Sequence, residues 1–218
     1  MIGPMIFIGV GGSGGSTVRS IREFLWQKLI AEGWEGDFPE CWQTLWIDTI
    51  SVQGRGGFSG PLLPSDSYLG LVTGGVNYQN VAKGIENSLP AEHLVETLSG
   101  WMPQSSPVPI AKGAGQFRAI GRTIGVWQLA QIKNFISDAI ERTKSSKGVS
   151  DLATLTQMFK LPVDGKVGTT SVFVISSMAG GSGSGLFQDV AHMVKVIDNK
   201  LDSFTHVLLY GADVFKLS

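Results

Sequence analysis

Cysteine, charge and long apolar runs are all scarce in this sequence. Cys41 is the single cysteine, so no disulfide can form within the chain, which is typical of a reducing compartment. Charged residues make up 16% of the chain and the formal net charge is −1, which gives no electrostatic basis for binding nucleic acid or an anionic membrane. No apolar run is long enough to cross a bilayer. We therefore expect a cytoplasmic protein that binds neither nucleic acid nor a membrane.

Familiar catalytic and metal-binding patterns are missing as well. The P-loop pattern Gly-x-x-x-x-Gly-Lys-Ser/Thr does not occur, and His93, His192 and His206 lack the spacing of metal ligands. The hydrophobic fraction of 43% argues against disorder and is enough for a sizeable core. Because the chain is nearly neutral, a phosphate site would have to rely on backbone N–H groups more than on Lys or Arg.

Glycine, in contrast, is abundant, with 29 residues that cluster in turns. The apolar run Val172–Ile175 predicts a buried strand, the run Gly180–Gly185 follows it, and a helical pattern comes next. A strand, a glycine turn and a helix together point backbone N–H groups at an anion. The hydroxyls of Ser182 and Ser184 can donate further hydrogen bonds. We therefore predict a phosphate site here rather than a flexible linker.

The same arrangement occurs at the other end of the chain. Met5–Ile8 predicts a strand, Gly9–Ser16 a glycine turn, and a helical pattern begins at Val18. A third glycine turn, Ala111–Arg118, leads into a pattern that predicts one long helix through Ile140. Near its start, Arg118 and Arg122 either reach a phosphate or form solvated surface, and we favour the surface interpretation.

Asp48 directly follows the predicted strand Trp42–Ile47. A carboxylate at the carboxyl end of a strand faces the ligand crevice of a doubly wound sheet, where it can hold a hydrated Mg²⁺ or a ribose hydroxyl. The same residue can also simply close the strand through an Asx-type turn. Both interpretations are open at this point.

The remaining segments are less distinctive. We interpret residues 51–109, which are rich in glycine and proline, as a peripheral insertion with short helices near Val81–Asn87 and Glu92–Leu98. After the long helix, the pattern predicts a polar loop at Lys144–Asp151, a short helix at Leu152–Leu161, a turn or hairpin at Val163–Thr170 and a last strand at Thr205–Tyr210.

Two other motifs match parts of the first glycine turn. Gly9–Gly14 fits the dinucleotide-binding fingerprint, but Asp48 lies well beyond the usual distance of about 20 residues, and the turn Gly180–Gly185 has no role in that scheme. Gly11–Gly15 formally fits a nucleophile elbow centred on Ser13. An α/β-hydrolase, however, needs an oxyanion loop from an earlier strand, and about one strand precedes Ser13.

Taken together, the turns resemble the nucleotide-binding half of the tubulin/FtsZ family, closest in style to its bacterial tubulin-like members. Ala179–Gly185 resembles the family signature Gly-Gly-Gly-Thr-Gly-Thr-Gly, with serines replacing the threonines. In matching order, the first, second, third and fifth family loops resemble Gly9–Ser16, Asp48, Ala111–Arg122 and Val207–Phe215. Ser16 stands where FtsZ has Asn, and Gln116–Arg118 replaces Asn-Pro-Glu, which changes contacts expected with the ribose or base and with the γ-phosphate.

The resemblance implies an α/β fold with a mostly parallel, Rossmann-like sheet and helices on both faces. It implies one nucleotide-binding domain over residues 1–218, with the 51–109 insertion and without the family's C-terminal activation domain. It also implies GTP or GDP with Mg²⁺, held through the phosphates and by Asp48 through water, and head-to-tail self-association. Hydrolysis would be completed by a neighbouring subunit, so no catalytic residue is expected in this chain. The nucleotide-binding residues implied are Gly11, Gly12, Ser13, Gly14, Gly15, Ser16, Asp48, Gly113, Ala114, Gly115, Gly180, Gly181, Ser182, Gly183, Ser184 and Gly185.

Two alternatives belong to other functional classes. One is a Rossmann-type domain of an oxidoreductase that binds NAD or FAD through Gly9–Gly14. The other is a non-enzymatic scaffold module that assembles without regard to nucleotide.

Overall fold

A parallel β-sheet lies at the centre of the fold. The structure, a computed structural model, describes residues 2–54, 60–88, 100–162, 168–211 and 213. Within these residues five strands pair in the order β3-β2-β1-β4-β5, and every pair is parallel. The strands are β1 (Met5–Val10), β2 (Trp42–Asp48), β3 (Tyr68–Gly70), β4 (Ser171–Ser177) and β5 (Thr205–Tyr210).

Helices cover both faces of this sheet. They are α1 (Gly11–Ala31), α2 (Tyr78–Ser88), α3 (Arg118–Trp127), α4 (Leu129–Lys144), α5 (Ser146–Met158) and α6 (Ser182–Ile197). Short 3₁₀ turns occupy Ser65–Ser67, Ile110–Lys112 and Asn199–Phe204. The α/β fold with a Rossmann-like parallel sheet is therefore confirmed.

The alternation of side chains along the strands divides the core between the two faces. Ile6, Ile8 and Val10 of β1 are fully buried in the main cluster, which α2, α3, α4 and α6 cover. Successive side chains of a strand point to opposite faces. Trp46 of β2 and Ile175 of β4 accordingly belong to a second cluster with Val18 of α1.

The strand order determines where a ligand can enter. β1 lies between β2 and β4, so the chain leaves β1 toward one side of the sheet for β2 and returns on the other side for β4. Ligands of open α/β sheets bind outside the carboxyl ends of the strands at such a switch point. In this fold that position lies between the ends of β1 and β4, where α1 and α6 begin.

Two predictions about the helices are wrong. The long helix expected after Arg118 is divided at Gln128, whose backbone leaves helical geometry at a φ of −107° and a ψ of +19°, so α3 and α4 are separate. The predicted polar loop Lys144–Asp151 is mostly helix, because Ser145 caps α5 by accepting a hydrogen bond from the Gly148 N–H at 3.0 Å. A serine followed by polar residues is a helix start as well as a loop signal.

The described part of the 51–109 segment contributes to the sheet and the core. β3 pairs with β2 at the sheet edge, and α2, which confirms the helix predicted near Val81–Asn87, buries Val81 and Ile85. The helix predicted at Glu92–Leu98 and most of the turn predicted at Val163–Thr170 lie outside the described residues. Across the part of the chain that is described, no helix is both long and apolar enough to cross a membrane.

Candidate functional site

A cleft of about 470 Å³ opens at the carboxyl ends of β1, β2 and β4. Small-molecule sites in proteins usually range from roughly 300 to 1,000 Å³. The start of α1, the end of β2, the turn before α6 and the loop that precedes α3 form its walls. The lining residues are Val10, Gly12, Ser13, Asp48, Ile50, Lys112, Gly113, Ala114, Gly115, Gln116, Ser177, Ala179, Gly180, Gly181, Ser182 and Gly183.

The first wall differs from the turn predicted at Gly9–Ser16. β1 continues to Val10 and α1 begins at Gly11, so most of this glycine run is the first turn and a half of a helix. Gly11 has a φ of +71°, and a Cβ there would lie 2.5 Å from the Gly183 nitrogen. The two helix starts are therefore in direct backbone contact.

The second wall has a shorter turn than the sequence predicts. α6 begins at Ser182, so the expected glycine turn Gly180–Gly185 is wrong beyond Gly181. Gly180, with a φ of +83°, has open space around it, and the Gly181 N–H donates to the Gly115 carbonyl at 2.7 Å. This hydrogen bond joins the second wall to the loop before α3.

Neither α1 nor α6 carries a negatively charged side chain of its own at its N-terminus. In α1 and α6, whose residues are all described, no side chain caps the N-terminus and no acidic residue occupies the first turn. The first N–H groups of a helix have no partner within the helix, and its N-terminus carries roughly half a positive charge. Two such termini in contact at one cleft form an anion-binding arrangement.

Asp48 is the one acidic residue among the described residues that line the cleft. It is 4% exposed, and its Oδ1 accepts a hydrogen bond from the Thr49 N–H at 2.7 Å. Burial raises the pKa of Asp48, and hydrogen bonds from Ser182 and Thr49 partly oppose that rise. The hydrogen bond with the Thr49 N–H forms a local turn at the end of β2. Because Asp48 also lines the cleft, its carboxylate can face a hydrated cation there.

The two signature serines have partners within the protein. Ser182 Oγ lies 2.7 Å from Thr49 Oγ1, while the Ser184 hydroxyl donates to the Gly180 carbonyl. Ser184 does not line the cleft. Its hydroxyl therefore stabilises the turn that precedes α6.

Several of the predicted binding glycines are packed against protein instead of facing the cleft. A Cβ on Gly14 would lie 2.1 Å from the Ile175 carbonyl oxygen, and one on Gly185 would lie 2.4 Å from the Arg118 carbonyl oxygen. A Cβ on Gly15 would lie 2.0 Å from the ring of Trp46. The predicted residues that do not line the cleft are Gly11, Gly14, Gly15, Ser16, Ser184 and Gly185.

The basic residues near the cleft have different roles. Arg118 donates to the Met178 carbonyl at 2.6 Å, and Arg122 pairs with Asp189 at 3.2 Å. Both are exposed, which agrees with the surface interpretation. Sequence reasoning missed Lys112, which among the described residues is the one Lys or Arg that lines the cleft. The sequence signal for this residue is its position immediately before Gly113, in the predicted glycine turn.

Fold and cleft together define a parallel α/β domain with two helix N-termini directed at one ligand site. A family model described as tubulin-like matches residues 6–217 of the 218. The chain belongs to this tubulin-like family, so the domain is of the tubulin/FtsZ type. No curated protein matches the sequence.

Proposed function

We propose that this domain binds a guanine nucleotide, GTP or GDP, with its phosphates at the N-termini of α1 and α6. The observation that carries the proposal is the contact between Gly11 and Gly183, which brings two uncapped helix starts to one cleft. Membership of the tubulin-like family supports a guanine nucleotide as the ligand.

The residues that line the cleft take the direct roles in this proposal. The phosphates contact backbone N–H groups of Gly12 and Ser13, of Gly115, and of Gly180, Ser182 and Gly183, and Lys112 adds a positive charge. Gly113, Ala114 and Gly181 line the cleft, but their N–H groups donate to Ile110, Thr49 and Gly115 within the protein. Asp48 holds Mg²⁺ through water. Five other predicted binding residues act indirectly by bringing the walls together, and these are Gly11, Gly14, Gly15, Ser184 and Gly185. Ser16, which also does not line the cleft, takes no direct part.

Assembly and hydrolysis belong to the same proposal. The domain associates head to tail, and a neighbouring subunit completes the hydrolytic site. Asp48 is the one carboxylate among the described residues that line the cleft, and the proposal assigns it to Mg²⁺, so the isolated domain is expected to hydrolyse GTP very slowly. A cytoplasmic location is part of the proposal, because Cys41 is the single cysteine and no disulfide can form within the chain. Burial raises the pKa of the Cys41 thiol to about 12, so the thiol is unreactive.

Calorimetric titration of the chain with GDP, GTP, ATP and NAD, with and without Mg²⁺, tests the proposal. We expect saturable binding of GDP and GTP and none of NAD. Binding of NAD without binding of any triphosphate would replace the proposal with the dinucleotide alternative. If the chain assembles to the same extent with and without each nucleotide, the result would favour the non-enzymatic scaffold alternative.

A further inference from the structure

The Thr49 hydroxyl connects three walls of the cleft, although Thr49 itself does not line it. Thr49 follows β2 and is 0% exposed. Its Oγ1 accepts a hydrogen bond from the Ala114 N–H at 3.2 Å and lies 2.7 Å from Ser182 Oγ. One buried oxygen therefore joins the end of β2, the loop before α3 and the first residue of α6.

The hydroxyls of Thr49 and Ser182 are engaged with each other. Each carries one hydrogen, and one of the two is used between them. Asp48 Oδ1 accepts the Thr49 backbone N–H at 2.7 Å, and hydrogen bonding to Ser182 and Thr49 partly opposes the rise in the pKa of Asp48. The Thr49 oxygen is therefore engaged by Ala114 and Ser182 without any ligand.

We propose that Thr49 is a positioning residue that holds the walls of the cleft at the spacing a nucleotide phosphate requires. This inference rests on the proposed function, because it concerns the same cleft. Thr49 acts through Ala114 and Ser182, and its hydroxyl makes no contact with the ligand.

The geometry makes this role distinct from ordinary core packing. Ala114 belongs to a loop that has glycines at positive φ on both sides, Gly113 at +96° and Gly115 at +57°. Two hydrogen bonds tie this loop to the other walls, one from the Ala114 N–H to Thr49 and one from the Gly181 N–H to the Gly115 carbonyl. When the walls of a cleft are already fixed before the ligand binds, less of the binding free energy is lost in ordering them.

The test uses Thr49→Val, which removes the hydroxyl and keeps the branched shape. We expect the calorimetric affinity for GDP to fall about tenfold, as positioning residues at other sites do when substituted. Hydrogen exchange at the Ala114 amide should become faster in the absence of nucleotide. Thr49→Ser, which keeps the hydroxyl, should restore both the affinity and the protection.

Thr143→Val is the matched control. Thr143 is 1% exposed, and its hydroxyl donates to the Ile140 carbonyl at 2.8 Å and lies 3.2 Å from that of Thr170, away from the cleft. It should lower the melting temperature about as much as Thr49→Val while leaving the GDP affinity unchanged.

The outcomes separate the two proposals. If the unsubstituted chain binds no nucleotide, the proposed function fails first. If the chain binds GDP and Thr49→Val binds it equally well, the positioning role is wrong. If Thr49→Val does not fold, Thr49→Ser and Ser182→Ala decide the question, because weak binding by Thr49→Ser or unchanged binding by Ser182→Ala would each overturn the role.

Discussion

The helices α1 and α6 begin at the same edge of the sheet with similar glycine-rich sequences, but they begin in different ways. α1 follows β1 directly at Gly11, so its glycines lie inside a helix. α6 follows β4 after a turn of four residues, 178–181, in which Gly180 has a φ of +83°. The glycines at the start of α1 therefore mainly allow close packing of the helix. Residues 178–181, in contrast, form a turn that precedes α6.

This difference shows that a glycine-rich motif serves two separate requirements. Gly14 and Gly183 allow backbones to approach more closely than any side chain would permit, since a Cβ on either would lie under 3.0 Å from other atoms. Gly12 and Gly180 line the cleft, and in the part of the chain that the structure describes no atom lies within 4 Å of a Cβ built on either. Glycine therefore allows close packing at some positions and leaves space for a ligand at neighbouring positions.

The strongest test of the comparison is Gly14→Ala. The added methyl group would overlap the Ile175 carbonyl oxygen at 2.1 Å, and neither α1 nor β4 can move without disturbing the central sheet. We expect the free energy of unfolding to fall by about 3 kcal/mol, which is the upper end of the usual cost of overpacking. Urea denaturation measures this. An unchanged midpoint would show that α1 does not pack on β4 as the structure has it.

Gly12→Ala, two residues earlier in the same helix, should behave in the opposite way. The methyl group meets no atom of the described residues, and alanine favours a helix over glycine by up to about 1 kcal/mol. We therefore expect unchanged or higher stability. The nucleotide affinity should fall about tenfold, which corresponds to about 1.4 kcal/mol, because the methyl group enters the ligand's space. Full affinity in this variant would mean that the phosphates do not lie against α1.

Lys112→Gln tests whether the negative charge of the ligand lies near the loop before α3. This loop is hydrogen-bonded to Gly181, which directly precedes α6. Loss of an exposed positive charge should weaken GTP binding by about 0.5–1 kcal/mol and reduce its salt dependence. Calorimetry at two salt concentrations measures both effects. Lys133→Gln is the control, because Lys133 is exposed on α4 and does not line the cleft. Equal effects of the two variants would contradict a role for Lys112.

The smallest effect is expected from Asp189→Asn, which breaks the ion pair between α6 and Arg122 of α3. The two side chains are 28% and 46% exposed, so solvent screens the pair, and its removal should cost about 0.5 kcal/mol or less. Thermal unfolding beside Asp202→Asn, which breaks another exposed pair, provides the comparison. A loss above about 1.5 kcal/mol would mean that this pair, and not the close glycine contacts, holds α6 in place.

Much of the fold could be predicted because local patterns express it directly. The apolar runs at Met5–Ile8 and Val172–Ile175 are strands, and Asp48 does end the second strand. The division at Gln128, where the backbone has a φ of −107° and a ψ of +19°, could not be predicted, because the helical periodicity continues past it. In the same way, the short β3 is a strand only because β2 is beside it.

The sequence by itself determined the class of the domain, since two strand–glycine–helix units and an intervening acid appear in it in a fixed order. Only the tertiary structure decided which glycines face the cleft and which are pressed against protein. The physical reason is that the space around a Cβ depends on residues far away in the chain, such as Ile175 for Gly14 and Gly183 for Gly11. For the same reason the link from Thr49 to Ala114 and Ser182 became visible only after the chain had folded.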